Sequence, residues 1–348
     1  MLPGCDRMSL PSLRAALAIA AVLGVVIPRP DVAAQTPWVL EWLQAYAGGR
    51  ESEIAERFRT VSSLKQLQDD LDKLAPKWLE GGPAVAEAHR RAIVAFALEA
   101  AFARLDQGAQ AGKLAEWSCR QLRRHTPPDD FDHRAHLAIF AVLAGAVDPD
   151  ALEAHVAHVK FQFPGEPRLA LERAIAEELR GAPFYRPGKQ LAADIIKHRE
   201  EAARRYADAA KTEATRGEAL LRLAHVNNDL GRPEDALKAL DQGDAALKDP
   251  SLVYLAKLFR GIAFERLGRL DEAREAYGQA LAIRPQAQSA SLSLAELTFR
   301  QGDRPAADHM VQMLIERESQ PDDPWWDYWP GDYRLGLDLI RAVREAVK

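Results

Sequence analysis

From Pro37 onward, apolar residues recur at intervals of three and four, and no stretch sustains the strict alternation of a half-buried strand. That pattern predicts an all-helical protein. Trp38, Leu40, Leu43 and Tyr46 mark a first short helix closed by Gly48-Gly49, and Ile54, Phe58, Val61, Leu64, Leu67 and Leu71 carry the stripe on toward Trp78. After the break at Gly81-Gly82-Pro83, an alanine-rich helix is predicted over 84–105. The next carries Leu114, Trp117 and Leu122 and ends at Pro127-Pro128. Two more, over 131–146 and 149–163, flank Asp148-Pro149-Asp150, where Asp148 suits an N-cap and Pro149 the first turn. Helix, short turn, helix, then a proline-bearing link is the order of a helical solenoid.

Between Arg180 and Lys189 the sequence RGAPFYRPGK interrupts this periodicity for longer, and a boundary is predicted there, between a divergent helical region over 35–181 and regular repeats over 182–321. Ala202 and Tyr206 precede Ala236 and Leu240 by 34 residues, as Ala273 and Tyr277 precede Ala307 and Val311. The middle step is 37. Its three extra residues are expected around Leu247 to Pro250, lengthening a link and leaving the packing faces in place. Leu230-Gly231, Leu267-Gly268 and Gln301-Gly302 mark the turn inside each hairpin, with glycine supplying a left-handed end to each first helix.

Small and large residues fall where antiparallel helices interlock. Leu223-Ala224, Gly261 with Phe264, and Leu294-Ala295 lie on first helices; Ala236, Ala273 and Ala307, followed by Leu240, Tyr277 and Val311, lie on second helices; and Pro285 closes the middle unit. This pattern resembles the tetratricopeptide repeat, strongly over 217–321, with a half repeat around Ile195 to Thr212. The resemblance implies a superhelical solenoid whose first helices line a groove for a protein or peptide partner. Phase puts His225, Asn228 and Asp229 on that groove in one repeat, Leu258, Ile262, Glu265 and Arg266 in the next, and Leu292, Glu296, Phe299 and Arg300 in the third. Members that clasp a terminal carboxylate use Lys, Arg and Asn where this chain has Leu221, His225, Phe259, Ser289 and Ser293, which argues against that clamp.

Beyond the repeats, over 322–348, Trp325, Trp326, Tyr328, Trp329 and Tyr333 crowd one short stretch ahead of an amphipathic helix from Leu335 to Val347. The rings and that helix are expected to cap the last repeat, the alternative being a sticky binding site.

Composition places the chain in a compartment and removes some functions. At 348 residues, 47% hydrophobic and 28% charged, it suits one large or two medium folded domains. A formal charge of -5 offers no basic excess for nucleic acid. Arg7 and Arg14 precede an apolar run from Ala15 to Ile27, and Val32-Ala33-Ala34 follows, which predicts a secretory signal over 1–34 and an exported protein of the periplasm or cell envelope. At 13 residues the run is shorter than the roughly 20 of a permanent span. Cleavage after Ala34 leaves Cys119 as the one cysteine, so no internal disulfide is expected. Cys119 reads as a buried small residue.

No HExxH, GxxxxGK[ST], GxSxG or GxGxxG pattern occurs, so no cofactor is expected and the protein reads as a non-catalytic scaffold. His133 with His136, and His155 with His158, share helix faces at spacing three and form the one candidate metal set. Solvated polar edges explain the same spacing more simply. The alternative function is a helical-toroid enzyme acting on cell-envelope polymers.

Overall fold

The structure is a computed structural model that describes residues 108–122, 129–182 and 192–316, with the single positions 87, 91, 94, 95, 97, 98, 101, 323–325 and 328. The expected signal segment, the helices over 37–78, most of the helix over 84–105, and the terminal helix from Leu335 lie outside the described residues. Among the described residues every regular element is a helix. None of those helices is long and apolar enough to cross a membrane. The chain divides into two compact units, Met1–Ala146 with Arg334–Lys348, and Val147–Tyr333.

In the first unit α1 (Gly108–Leu122) packs on α2 (Asp130–Gly145). Asp129 and Asp132 close a reciprocal capping box at the start of α2, the Asp132 N–H donating to Asp129 Oδ1 at 3.1 Å and the Asp129 N–H to Asp132 Oδ2 at 3.2 Å. Arg91 pairs with Asp129 and stands 5.2 Å over the Phe131 ring. Cys119 is buried, as its apolar setting predicts.

The second unit begins with α3 (Pro149–Gln162), capped by Asp148, which accepts from the Ala151 N–H at 3.0 Å, with Pro149 in the first turn as predicted. Four helical hairpins follow: α4 (Leu169–Arg180) with α5 (Ala192–Ala209), α6 (Arg216–Asp229) with α7 (Pro233–Gly243), α8 (Pro250–Arg266) with α9 (Leu270–Ile283), and α10 (Gln288–Arg300) with α11 (Arg304–Ile315). The expected boundary at 181/182 falls inside this unit, because α4 and α5 pair across the link and complete the half repeat into a hairpin.

Three of the four turns are built alike. Gly231, Gly268 and Gly302 have φ of 72°, 72° and 95°, and the next residue's N–H closes the helix, Arg269 N–H to Phe264 O at 2.9 Å being the tightest analogue of Arg232 to Asn227 at 2.8 Å. Inside the third hairpin, a Cβ on Gly261 would lie 2.3 Å from Cε1 of Tyr277, so the glycine is what lets α8 and α9 close. Ala236, Ala273 and Ala307 are all buried at the matching crossings.

The three extra residues of the middle period are not in a link. They lengthen α8, which has 17 residues where α6 has 14 and α10 has 13. Asp249-Pro250 reads as the end of a link but acts as a cap and first turn: Asp249 Oδ1 accepts from Ser251 N–H at 2.7 Å and Leu252 N–H at 3.2 Å. The longer helix carries Tyr254 forward to meet a later segment.

Candidate partner-binding face

First helices α4, α6, α8 and α10 supply one face of the second unit, and α6 packs directly on α8. Of the residues placed there by phase, His225, Asn228 and Leu258 are buried; Asp229, Ile262 and Glu265 are half-buried; Arg266, Leu292, Glu296, Phe299 and Arg300 are exposed. Asn228 donates through Nδ2 to Phe259 O at 3.0 Å, tying α6 to α8. Asp229 pairs with Arg199 at 2.9 Å. Glu265 accepts from the Tyr277 hydroxyl at 2.8 Å and pairs with Arg300 on the next first helix.

His225 is buried because the chain returns to cover it. Asp323, Pro324, Trp325 and Tyr328 form a strap over α6 and α8. Asp323 accepts from the Ser289 N–H at 2.6 Å, capping α10 from outside, and from the Tyr254 hydroxyl at 3.1 Å. Trp325 stacks on Tyr328 with centroids 5.4 Å apart and planes at 18°, while Phe259 meets both rings edge-on at 5.8 and 5.5 Å. The Tyr328 hydroxyl donates to Glu178 Oε1 at 2.5 Å, and the Arg222 guanidinium stands 4.7 Å over its ring. Of the aromatic stretch expected to cap the last repeat, Trp325 and Tyr328 pack against His225 of α6 and Phe259 of α8, and Tyr328 donates to Glu178 of α4, while Asp323 caps α10 of the last hairpin.

From the strap a chain of alternating charge runs inward through Glu178, Arg222, Glu218, Arg168 and Glu172, all buried but the half-buried Arg168. Arg168 pairs with Glu172 at 3.0 Å and Glu218 at 3.8 Å, and Arg222 reaches Glu218 at 2.9 Å and Glu178 at 3.5 Å. Glu178 also faces His225 Nδ1 at 3.0 Å and accepts from the Tyr206 hydroxyl. Burial alone would raise the Glu178 carboxyl, but the hydrogen bond and charge of His225, the Arg222 guanidinium and the Tyr206 hydroxyl together hold it below its ordinary range. Glu172, on the same helix, is pushed up by burial and by Glu218 against the pull of Arg168. Burial and the Glu178 charge raise both Tyr206 and Tyr328, keeping them neutral donors.

The histidine pairs fall in different units, His133 and His136 in the first and His155 and His158 in the second. His136 and His155 are buried, and the His155 and His158 rings stand 6.1 Å apart on α3.

Residues 266–327, from the end of α8 to the strap, match the tetratricopeptide repeat family model. Over that stretch the chain is similar to the tetratricopeptide repeat. Among curated proteins none matches it. Solved structures similar to it include a MamA RS-1 double mutant, with 18% identity and a TM-score of 0.40 over 54% of this chain and 94% of that one. MamA from residue 41 onward, from Desulfovibrio magneticus RS-1, gives 17% and 0.40 over 55% and 98%. A chain of the APC/C hetero-tetramer Cut9-Hcn1 gives 15% and 0.41 over 96% and 71%.

Repeat phase names residues of the first helices but not Glu178, Arg222, Asp323 and Tyr328, which the structure brings together. One signal was available for them: Arg222 interrupts the apolar run Leu220, Leu221, Leu223, Ala224, where a charge must find a buried partner.

Proposed function

We propose that this protein is an exported, non-catalytic repeat scaffold of the periplasm or cell envelope that binds a protein partner along the first helices of its tetratricopeptide repeats. The observation that carries this reading is that the face already holds a short stretch of protein, its own strap, through a carboxylate that caps α10, a stacked ring pair and a buried phenol. Further along the same face, Leu292 and Phe299 on α10 are 44% and 46% exposed, enough apolar surface to serve as anchors. The acidic groups under the strap are bound by arginines and phenols, which suits a recognition surface better than acid–base chemistry. Export rests on Arg7, Arg14, the run Ala15 to Ile27 and the small residues before Gln35.

The test is recovery of the tagged full chain from its native host, with envelope and cytosol separated and bound proteins identified. A partner held by the wild type should be lost from Leu292→Glu and Phe299→Glu. Undiminished capture by both variants would refute the face, and a cytosolic chain retaining residues 1–34 would refute export.

A further inference from the structure

The seat beneath the strap is complete without it. If Tyr328 left, Glu178 would keep Tyr206, His225 and Arg222 around it, so no buried carboxylate would be stranded. If Asp323 left, the Ser289 N–H at the start of α10 and the Tyr254 hydroxyl beside it would each need water or an incoming carboxylate in its place. The strap follows the last hairpin, so its departure breaks no repeat. What departure uncovers is mainly ring surface on Phe259 and His225, the kind of surface that a second set of rings can cover equally well.

We propose that the strap is a displaceable internal ligand, and that the seat recognises in a partner a peptide of the same chemistry: a carboxylate, an aromatic ring two residues later and a tyrosine five residues later. This rests on the scaffold reading and names its ligand class. Each position has a chemical reason. The carboxylate meets the positive end of α10, where backbone N–H groups point outward. The ring two residues on packs edge-on to Phe259 and tilted against His225, in the corner the two make. The tyrosine must donate a hydroxyl hydrogen to Glu178, so phenylalanine leaves that bond unmade, and a phosphorylated tyrosine is repelled by the carboxylate. A strap on the same chain competes at a high effective concentration, of order millimolar for a short connection. The closed protein therefore admits only strong or multivalent partners.

The experiment uses the full chain and a labelled peptide copying residues 321–330, PDDPWWDYWP, followed by fluorescence anisotropy. Wild type should bind at least ~10-fold more weakly than a Trp325→Ala, Tyr328→Phe variant whose own strap is loosened. Peptides with the second aspartate changed to alanine, or with phosphotyrosine, should bind the variant poorly. If the variant keeps its helical circular dichroism and cooperative melting yet binds no more tightly than wild type, or binds the altered peptides equally, the proposal fails. Should the variant not fold, hydrogen exchange on wild type with excess peptide decides. Displacement should deprotect the Trp325 amide, now bonded to Asp323 at 3.0 Å, while the Ser289 amide stays protected by the incoming carboxylate. An unchanged Trp325 amide overturns the proposal. A peptide that does not bind, alongside an envelope partner still captured through Leu292 and Phe299, removes the strap proposal alone; the reverse outcome removes the envelope reading alone.

Discussion

Tyr277 and Val311 hold the same place in consecutive second helices, yet Tyr277 is 1% exposed and Val311 is 38% exposed. The first helices show the same contrast: Leu258 on α8 is buried, while Leu292 and Phe299 on α10 face solvent. Repeat chemistry alone does not decide this. A hairpin buries its apolar residues where a neighbour or another segment lies over them, and one hairpin cannot do so alone. Over α6 and α8 the strap does the covering, anchored by Glu178 and Asp323; on α10 Asp323 caps the first turn. The covered part of the face is fastened by buried polar groups, and the uncovered part has apolar residues beside paired surface charges such as Glu265 with Arg300.

The sharpest way to break that contrast is at Glu178. In Glu178→Ala, Tyr206 and Tyr328 lose their common acceptor and Arg222 loses part of its countercharge, in a site where all three are buried. Removing one member of a buried charged network costs about 3–5 kcal/mol. Urea unfolding should show a loss in that range. A loss below about 1 kcal/mol would mean the covered region is held by ring packing, without help from the carboxylate.

Acid titration separates the same network from its neighbour on α4. Because the folded-state pKa of Glu178 is depressed, its stabilisation is complete above the unfolded value of about 4.3 and is lost as pH falls through the lower folded value. Glu172 runs the other way: raised in the fold, it contributes stability below its unfolded value, lost as pH rises through the folded one. Urea midpoints measured from neutral pH downward should therefore show Glu178→Gln flattening the fall on the acid side of pH 4, and Glu172→Gln flattening the slope above it. Each effect amounts to about 1.4 kcal/mol for every unit by which the carboxyl is displaced. Identical profiles for the two variants would contradict the opposite environments assigned to them.

The hairpins were legible because their demands are local. A left-handed backbone at Gly231, Gly268 and Gly302, and a crossing too close for a side chain at Gly261, mark the sequence wherever they occur. The strap was half legible: five aromatic residues in one stretch announced burial, but not the place. Tyr328 meets Glu178 across 150 residues, and no spacing rule couples positions that far apart. The lengthening of α8 was misplaced for a related reason. Asp249-Pro250 serves equally well as the end of a link or the start of a helix, and only the partner waiting at Tyr254, Asp323, shows which was needed. Likewise phase placed His225 on a first helix, while its burial depends on Trp325 and Tyr328, which pack against it from far along the chain.

The uncovered end should show the smallest stability effects, and that is what makes it informative. Leu292 is 44% exposed, so Leu292→Glu removes little buried area and should shift the unfolding free energy by no more than about 0.5 kcal/mol. Phe299 has the Arg304 guanidinium 5.0 Å over its ring, a contact worth about 0.5–1 kcal/mol at an exposed site. Phe299→Glu gives up that contact but places a carboxylate near Arg304, so its loss should also stay near 0.5 kcal/mol. Parallel urea unfolding of both variants checks this directly. Losses of several kcal/mol would show that α10 is held by packing as tight as that over α8, and the division between a covered and an open stretch of face would collapse. Losses near zero, together with loss of partner capture, would place the anchors where the fold itself does not need them.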